Sequence, residues 1–281
     1  MGALTTETYL RAIELEGHRP RTVDLRRRQL LRLLVATGGR DPVRARRDHV
    51  DAWWDSMAHL APGTRANNLS AVREYYSWAR RTGAVRSDPT DHLRRPRVRE
   101  GVPRPIPEST YGELLGALPD PWALALMLAG EAGLRAMEVA ALDWRDLDLA
   151  GSPPSIRVVD GKGGRARVVP APLRLVAVLR RRNRGRGPVV PRPSDGQAHT
   201  AAQLSRGAAS AIHAAGQPYS LHQGRHRYGT ALLGQGVGLA HIQKLMGHAS
   251  PTTTALYCQV QDDDLASAVR RLDDIPRKDT A

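Results

Sequence analysis

The stretch SIRVVDGKGGRARVVP, Ser155 to Pro170, sets two runs of β-branched residues on either side of Asp160-Gly161-Lys162-Gly163-Gly164. Branching at Cβ favours extended backbone, and an Asp-Gly turn with further glycines lets the chain reverse on itself. The stretch therefore predicts an antiparallel hairpin with a glycine-flanked tip. On both sides of it the chain reads as helical. Helices are expected before it at Ser109 to Leu118 and Trp122 to Glu131. After it they are expected at Pro172 to Arg182, Ala201 to Ala214, Ser220 to Gly234, Leu239 to Met246 and Pro251 to Val260. The fold class that follows is mainly α with a small antiparallel β-sheet.

Further toward the N-terminus, LRRPRVREGVPRPIP (Leu93 to Pro107) combines proline and arginine without helical periodicity. Proline fixes φ and lacks an N–H, so this reads as an extended linker. Ahead of it, Tyr9, Ile13 and Leu15, then Leu30, Leu33 and Leu34, then Val50, Trp53, Trp54 and Met57 recur at helical spacing. A fourth helix runs from Thr64 to Ala79, with Leu69, Val72, Tyr76 and Ala79 on one face. Breaks fall at Gly38-Gly39, Pro62-Gly63 and Gly83. The expected organisation is a helical bundle over 1–95, a linker over 96–107 and a second domain over 108–281. A final amphipathic segment, Asp262 to Ile275, carries Leu265, Val269 and Leu272 and suits packing on its own domain or a neighbour's.

Charge narrows the partner. The 281 residues hold 42 Lys+Arg against 28 Asp+Glu, a formal charge of +14, and both halves are basic. Such a balance favours a polyanion, and arginine suits phosphate because its planar fork donates two hydrogen bonds to two oxygens. No apolar run nears the roughly 20 residues a membrane span needs, and the first residues lack an apolar signal core, so a cytoplasmic protein is expected. Cys258 is the sole cysteine, which rules out an intrachain disulfide and a four-cysteine zinc site and fits a reducing compartment. Lys162, Lys244 and Lys278 are the only lysines.

Phosphoryl transfer without a metal needs a nucleophile, donors for the equatorial oxygens and an acid for the leaving oxygen. Arg135, in GLRAMEVAAL, stands at a helix start where its guanidinium and backbone N–H groups can face one anion. Glu138 is one turn further on and can hold that arginine, although an isolated pair at this spacing is ordinarily a surface contact. Lys162, at the glycine-flanked tip, can present its ammonium to a phosphate or a leaving oxygen. In His222-Gln223-Gly224-Arg225-His226, His222 and Arg225 are one turn apart and can address a single site. His222 and His226 share the spacing of a zinc-binding pair, but Gln223 occupies the place of the general-base Glu, and Arg225 and Arg227 would set positive charge beside a metal. His248 and Tyr257 complete the set. Each of these residues taken singly has a structural explanation.

Taken together, the ordered series Arg135, Lys162, His222-x-x-Arg225, Gly247-His248 and Tyr257 resembles the catalytic signature of the tyrosine recombinases, phage integrases and Xer-type enzymes among them. The similarity is strongest over Gly130 to Val260. It extends more loosely to the N-terminal bundle, which resembles the family's core-binding, SAM-like DNA-binding domain. The resemblance implies that Tyr257 attacks a DNA phosphate to form a 3′-phosphotyrosyl bond, so that neither cofactor nor metal is required. It implies that Arg135 and Arg225 hold the non-bridging oxygens, His248 adds a hydrogen bond, Lys162 protonates the departing 5′ oxygen and His222 assists proton transfer at Tyr257. Glu138 and His226 take supporting, orienting roles.

The implied partner is double-stranded DNA at specific recombination sites, bound by a homotetramer that forms and resolves Holliday junctions, with room for accessory proteins. The implied location is the nucleoid of a prokaryotic cytoplasm. Two departures stand out. The family commonly has Leu and Thr where Gly224 and Arg227 stand, and the glycine is expected to weaken its helix by about 1 kcal/mol relative to alanine. Arg227 is expected to contact phosphate or to face solvent. Two rival readings share the fold: a type IB topoisomerase-like relaxing enzyme and a DNA-binding regulator that does not cut.

Overall fold

The computed structural model describes residues 5–98, 104–159 and 166–247. The chain divides into two compact units, Met1–Glu100 and Gly101–Ala281. The first is helical: α1 (Thr5–Leu15), α2 (Pro20–Ala36), α3 (Arg47–Asp55) and α4 (Pro62–Arg81), with a short 3₁₀ turn at Pro42–Arg44. Proline opens both α2 and α4, where its missing N–H would have had no helical partner. Pro62, expected as a break, is thus the first residue of a helix.

The core of this unit is aromatic. Tyr9 meets Tyr75 edge-on at 5.5 Å, and Trp78 stacks near Tyr75 at 6.1 Å. Trp53, Leu30, Leu33, Val50 and Val72 close around them, all buried. Leu15, which shares the spacing of Tyr9 and Ile13, is exposed at the end of α1. Two polar devices fix the ends. The Asp41 carboxylate accepts from the Thr5 N–H and hydroxyl at 2.8 and 2.6 Å and from the Val43 N–H at 3.1 Å. The Arg73 guanidinium donates to the Thr90 and Leu93 carbonyls, seating the segment that leaves the bundle.

The second unit is built on α6 (Trp122–Glu131), flanked by α5 (Glu108–Ala117), α7 (Ala136–Ala141), α8 (Leu173–Arg182), α9 (Ala201–Ala214), α10 (Leu221–Gly234) and α11 (Leu239–Met246). Seven of the ten residues of α6 are buried, Leu124, Leu126 and Leu128 among them, so it is the central helix around which the others pack. A box between Thr200 and Gln203 starts α9: the Thr200 hydroxyl accepts from the Gln203 N–H, and the Gln203 amide oxygen accepts from the Thr200 N–H.

The sheet is antiparallel, as expected, but has three strands: β1 (Leu147–Asp148), β2 (Ser155–Val158) and β3 (Arg167–Pro170), in that order. The two-residue β1 is too short to leave a periodic signal. Ile156 pairs with Val169 and Val158 with Arg167, so Ile156, Val158 and Val169 turn to the core while Val168 faces out. The hairpin tip 160–165, the helix expected at Pro251 to Val260 and the segment from Asp262 onward lie outside the described residues. Among the described residues no helix is long and apolar enough to cross a membrane.

Candidate active site

Glu138 is the centre of the site. Its carboxylate, 1% exposed, lies on α7 and is approached by three guanidinium groups. Arg135 precedes the helix and donates twice, from its backbone N–H at 2.8 Å and from Nη1 at 3.0 Å. The pair lies in the interior, where an isolated pair at this spacing is ordinarily on the surface, and the Arg135 N–H, read as a donor for an anion, is taken by Glu138. Arg167 at the start of β3 binds both carboxylate oxygens at 2.8 Å. Arg225 on α10 comes within 3.8 Å of the same carboxylate. Burial by itself would raise the Glu138 carboxyl. The bonds from Arg167 and from the Arg135 backbone outweigh it and hold the group ionised below the usual range.

The arginines are held from behind as well. Arg225 is buried, its Nη1 donating to the Gly133 carbonyl and its Nη2 to the Met246 carbonyl at 2.6 Å. Arg135 Nη2 donates to the Gly247 carbonyl at 2.7 Å, and Arg167 Nε to the Leu245 carbonyl at 2.9 Å. All of these acceptors but Gly133 are the last residues of α11 and its cap. Gly247 adopts the left-handed conformation (φ +62°) that ends the helix, which residues with a Cβ rarely adopt. Three positive groups on one buried carboxylate leave an excess of positive charge, which suits an anion.

His222 and His226 lie on α10 one turn apart, their rings edge-to-face at 4.3 Å. Desolvation, then the cationic Arg225 and Arg135, lowers His222 from its ordinary range. Desolvation, His222 and Arg225 push His226 down to about 4. Both rings are thus neutral near pH 7. Among the described residues no group of three or more His, Cys, Asp or Glu is arranged to hold a metal.

Of the residues selected from sequence, the structure brings Arg135, Glu138, His222, Arg225 and His226 together, while Lys162, His248 and Tyr257 lie outside the described residues. Arg167 was missed. It reads as one arginine among many, yet alternation puts it on the face of β3 that carries the buried Val169, and a charge facing the core requires a carboxylate. Arg227 is corrected: it neither faces solvent nor is placed for phosphate. It is buried over the Tyr111 ring at 3.9 Å, donating to the Gly130 carbonyl at 2.8 Å and pairing with Glu108 at 2.6 Å. Gly224 likewise has a packing reason. A Cβ there would lie 3.0 Å from Leu126 Cδ1, so the glycine lets α10 approach α6 and brings Arg225 to the Gly133 carbonyl.

Comparison with known proteins agrees with this architecture. Residues 108–264 match the phage integrase family. The tyrosine recombinase XerC of Neisseria gonorrhoeae is 30% identical over 284 residues, covering 92% of each chain. The fold matches the Tn1549 transposon integrase in complex with transposon right end DNA, with a TM-score of 0.73 at 17% identity over 96% of this chain and 99% of that one. It also matches a lambda integrase tetramer bound to a Holliday junction, with a TM-score of 0.71 at 15% identity over 88% and 77% of the two chains. A two-unit helical chain with a carboxylate-pinned arginine cluster is thus of the integrase class in fold. The chain belongs to the phage integrase family and is a tyrosine recombinase.

Proposed function

We propose that the protein is a site-specific DNA recombinase that cleaves and rejoins strands through Tyr257. The observation that carries this reading is the clustering of Arg135 and Arg225, sequence-distant and both fixed to backbone carbonyls, beside one buried carboxylate. Such prearranged donors stabilise charge that develops on a phosphate in the transition state without having to reorganise. Tyr257 Oη attacks the phosphorus while the bond to the 5′ oxygen breaks, leaving a 3′-phosphotyrosyl link and a free 5′ hydroxyl. Arg135 and Arg225 neutralise the non-bridging oxygens and His248 donates to one of them. Lys162 gives its proton to the leaving 5′ oxygen. His222, neutral near pH 7, is able to take the proton of Tyr257. The reverse reaction uses a 5′ hydroxyl from another strand, so the bond energy is conserved and no nucleotide cofactor is consumed.

The first unit is the core-binding domain in this reading. Its α2 and α4 line a groove with Arg26, Arg28 and Arg32 beside Thr64, Asn67 and Ser70, a mixture suited to phosphates and base edges. The partner is double-stranded DNA, the working assembly a homotetramer on two sites, as the Holliday-junction complex of lambda integrase suggests by analogy. A cytoplasmic, nucleoid-associated location follows from such a substrate.

The test uses nicked suicide duplexes drawn from the gene's own genomic neighbourhood, in EDTA and without ATP. Wild type is expected to give a covalent protein–DNA band on a denaturing gel that Tyr257→Phe does not give, together with joined products. Tight binding by both proteins with no band from either would replace this reading with that of a regulator. A band with relaxation of supercoils and no joined products would replace it with that of a relaxing enzyme.

A further inference from the structure

We infer that Arg167 is a positioning residue for strand cleavage: through Glu138 and the end of α11 it fixes where Arg135 points. The inference rests on the recombinase reading above. Its basis is a closed ring of contacts. Arg167 binds both oxygens of Glu138 at 2.8 Å and the Leu245 carbonyl at 2.9 Å. Glu138 binds Arg135, and Arg135 Nη2 returns to the Gly247 carbonyl, two residues beyond Leu245. The ring is tight, because a Cβ on Gly247 would come within 3.1 Å of the Arg167 guanidinium.

Chain connectivity gives the ring its reach. Arg167 begins β3, five residues after Lys162, and Gly247 immediately precedes His248. One guanidinium thus ties the strand that follows the Lys162 segment, the helix that bears Glu138 and the turn that leads to His248. A direct role on DNA is disfavoured. The side chain is only 11% exposed, and three of its five N–H groups are committed to protein oxygens. Lysine in its place would keep the charge but could not span both carboxylate oxygens and the carbonyl together.

The experiment uses the full-length chain as wild type, Tyr257→Phe, Arg167→Gln, Arg167→Lys, Glu138→Gln and the Arg167→Gln/Glu138→Gln double variant. Rates of covalent adduct formation on a nicked suicide duplex are measured at saturating protein, with duplex affinity as a function of salt. Hydrogen exchange is followed in the peptide spanning Leu239 to Gly247.

A small displacement of a reacting group can cost about 10²-fold in rate, so Arg167→Gln is expected to slow adduct formation by about that factor while affinity and salt slope hold. Arg167→Lys should recover part of the loss. The double variant should be no slower than Glu138→Gln alone, because the two residues act as one unit. The Leu239 to Gly247 peptide should exchange faster in Arg167→Gln while α6 is unchanged.

Three results would overturn the inference: a salt slope lowered by about one, which marks a lost phosphate contact, multiplying losses in the double variant, or unchanged exchange. If Arg167→Gln does not fold, Arg167→Lys carries the same comparisons at smaller amplitude. A wild type without any Tyr257-dependent adduct defeats the recombinase reading itself, and the exchange comparison then decides alone whether Arg167 holds the turn.

Discussion

At the scale of single residues, Glu138 governs the electrostatics of the site. Removing it would leave Arg135, Arg167 and Arg225 facing one another without a counter-charge in a largely buried setting. Breaking a buried pair in this way typically costs about 3–5 kcal/mol. Glu138→Ala is expected to lose stability of that order in urea unfolding, and to lose adduct formation with it. The acid response has a definite sign. Glu138 is held below its ordinary 4.5, so its stabilisation is complete above that pH and disappears as pH falls through the lower folded value. His226 drops from 6.5 to about 4, so between those values the unfolded chain takes up a proton that the folded chain refuses. Stability therefore declines from pH 6.5 toward 4, and His226→Gln is expected to flatten that decline in urea midpoints taken across the window. The arginine and histidine candidates were legible because their order and spacing are sequence properties. Arg167 was not, because its partner Glu138 is 29 positions away and only the fold brings the two together.

At the scale of elements, the pairing of α10 with α6 carries the site, since Arg225 reaches the Gly133 carbonyl only if the two helices lie close. Gly224 provides that approach, and Arg227 locks it from the other side through Gly130, Glu108 and the Tyr111 ring. Gly224→Leu, which restores the residue common in the family, is expected to destabilise by about 1–3 kcal/mol through overpacking against Leu126. Arg227→Thr should cost about 1–3 kcal/mol by leaving the buried Gly130 carbonyl unpaired. Both are read by thermal or urea unfolding. If either restored residue proved neutral, the packing account of these departures would be wrong. Helices with an apolar face, such as α4 and α9, could be read from periodicity. The departures at 224 and 227 could be seen in the sequence but not understood, because a glycine's cost to its own helix says nothing of what its missing side chain admits. The two-residue β1 has no period to read and is defined by its pairing with β2 alone.

At the scale of the molecule, the charge of +14 is distributed over two units, and a polyanion is the partner that uses it. Each neutralised phosphate contributes about −0.9 to the slope of log affinity against log salt on duplex DNA. Binding is expected to weaken steeply with salt, and Arg28→Ala or Arg32→Ala in the α2–α4 groove should each reduce the slope by about one while leaving the fold intact. An unchanged slope would place the DNA on another face of that unit. The proline-rich stretch after Leu93 could be read as a linker from composition alone, since irregular composition between periodic segments needs no tertiary information. How recognition helices meet base edges is not written in periodicity, because register in a groove depends on a partner the chain does not contain.

In the proposed reaction Tyr257 joins to DNA at a site prepared by the arginines around Glu138. The most direct measurement is to trap the wild-type adduct on a nicked duplex, digest protein and DNA, and locate the nucleotide remnant by tandem mass spectrometry. A 3′-phosphonucleotide on Tyr257, absent when Arg225→Gln replaces wild type, is the predicted result. A remnant on any other residue, or an adduct formed equally well without Arg225, would contradict it.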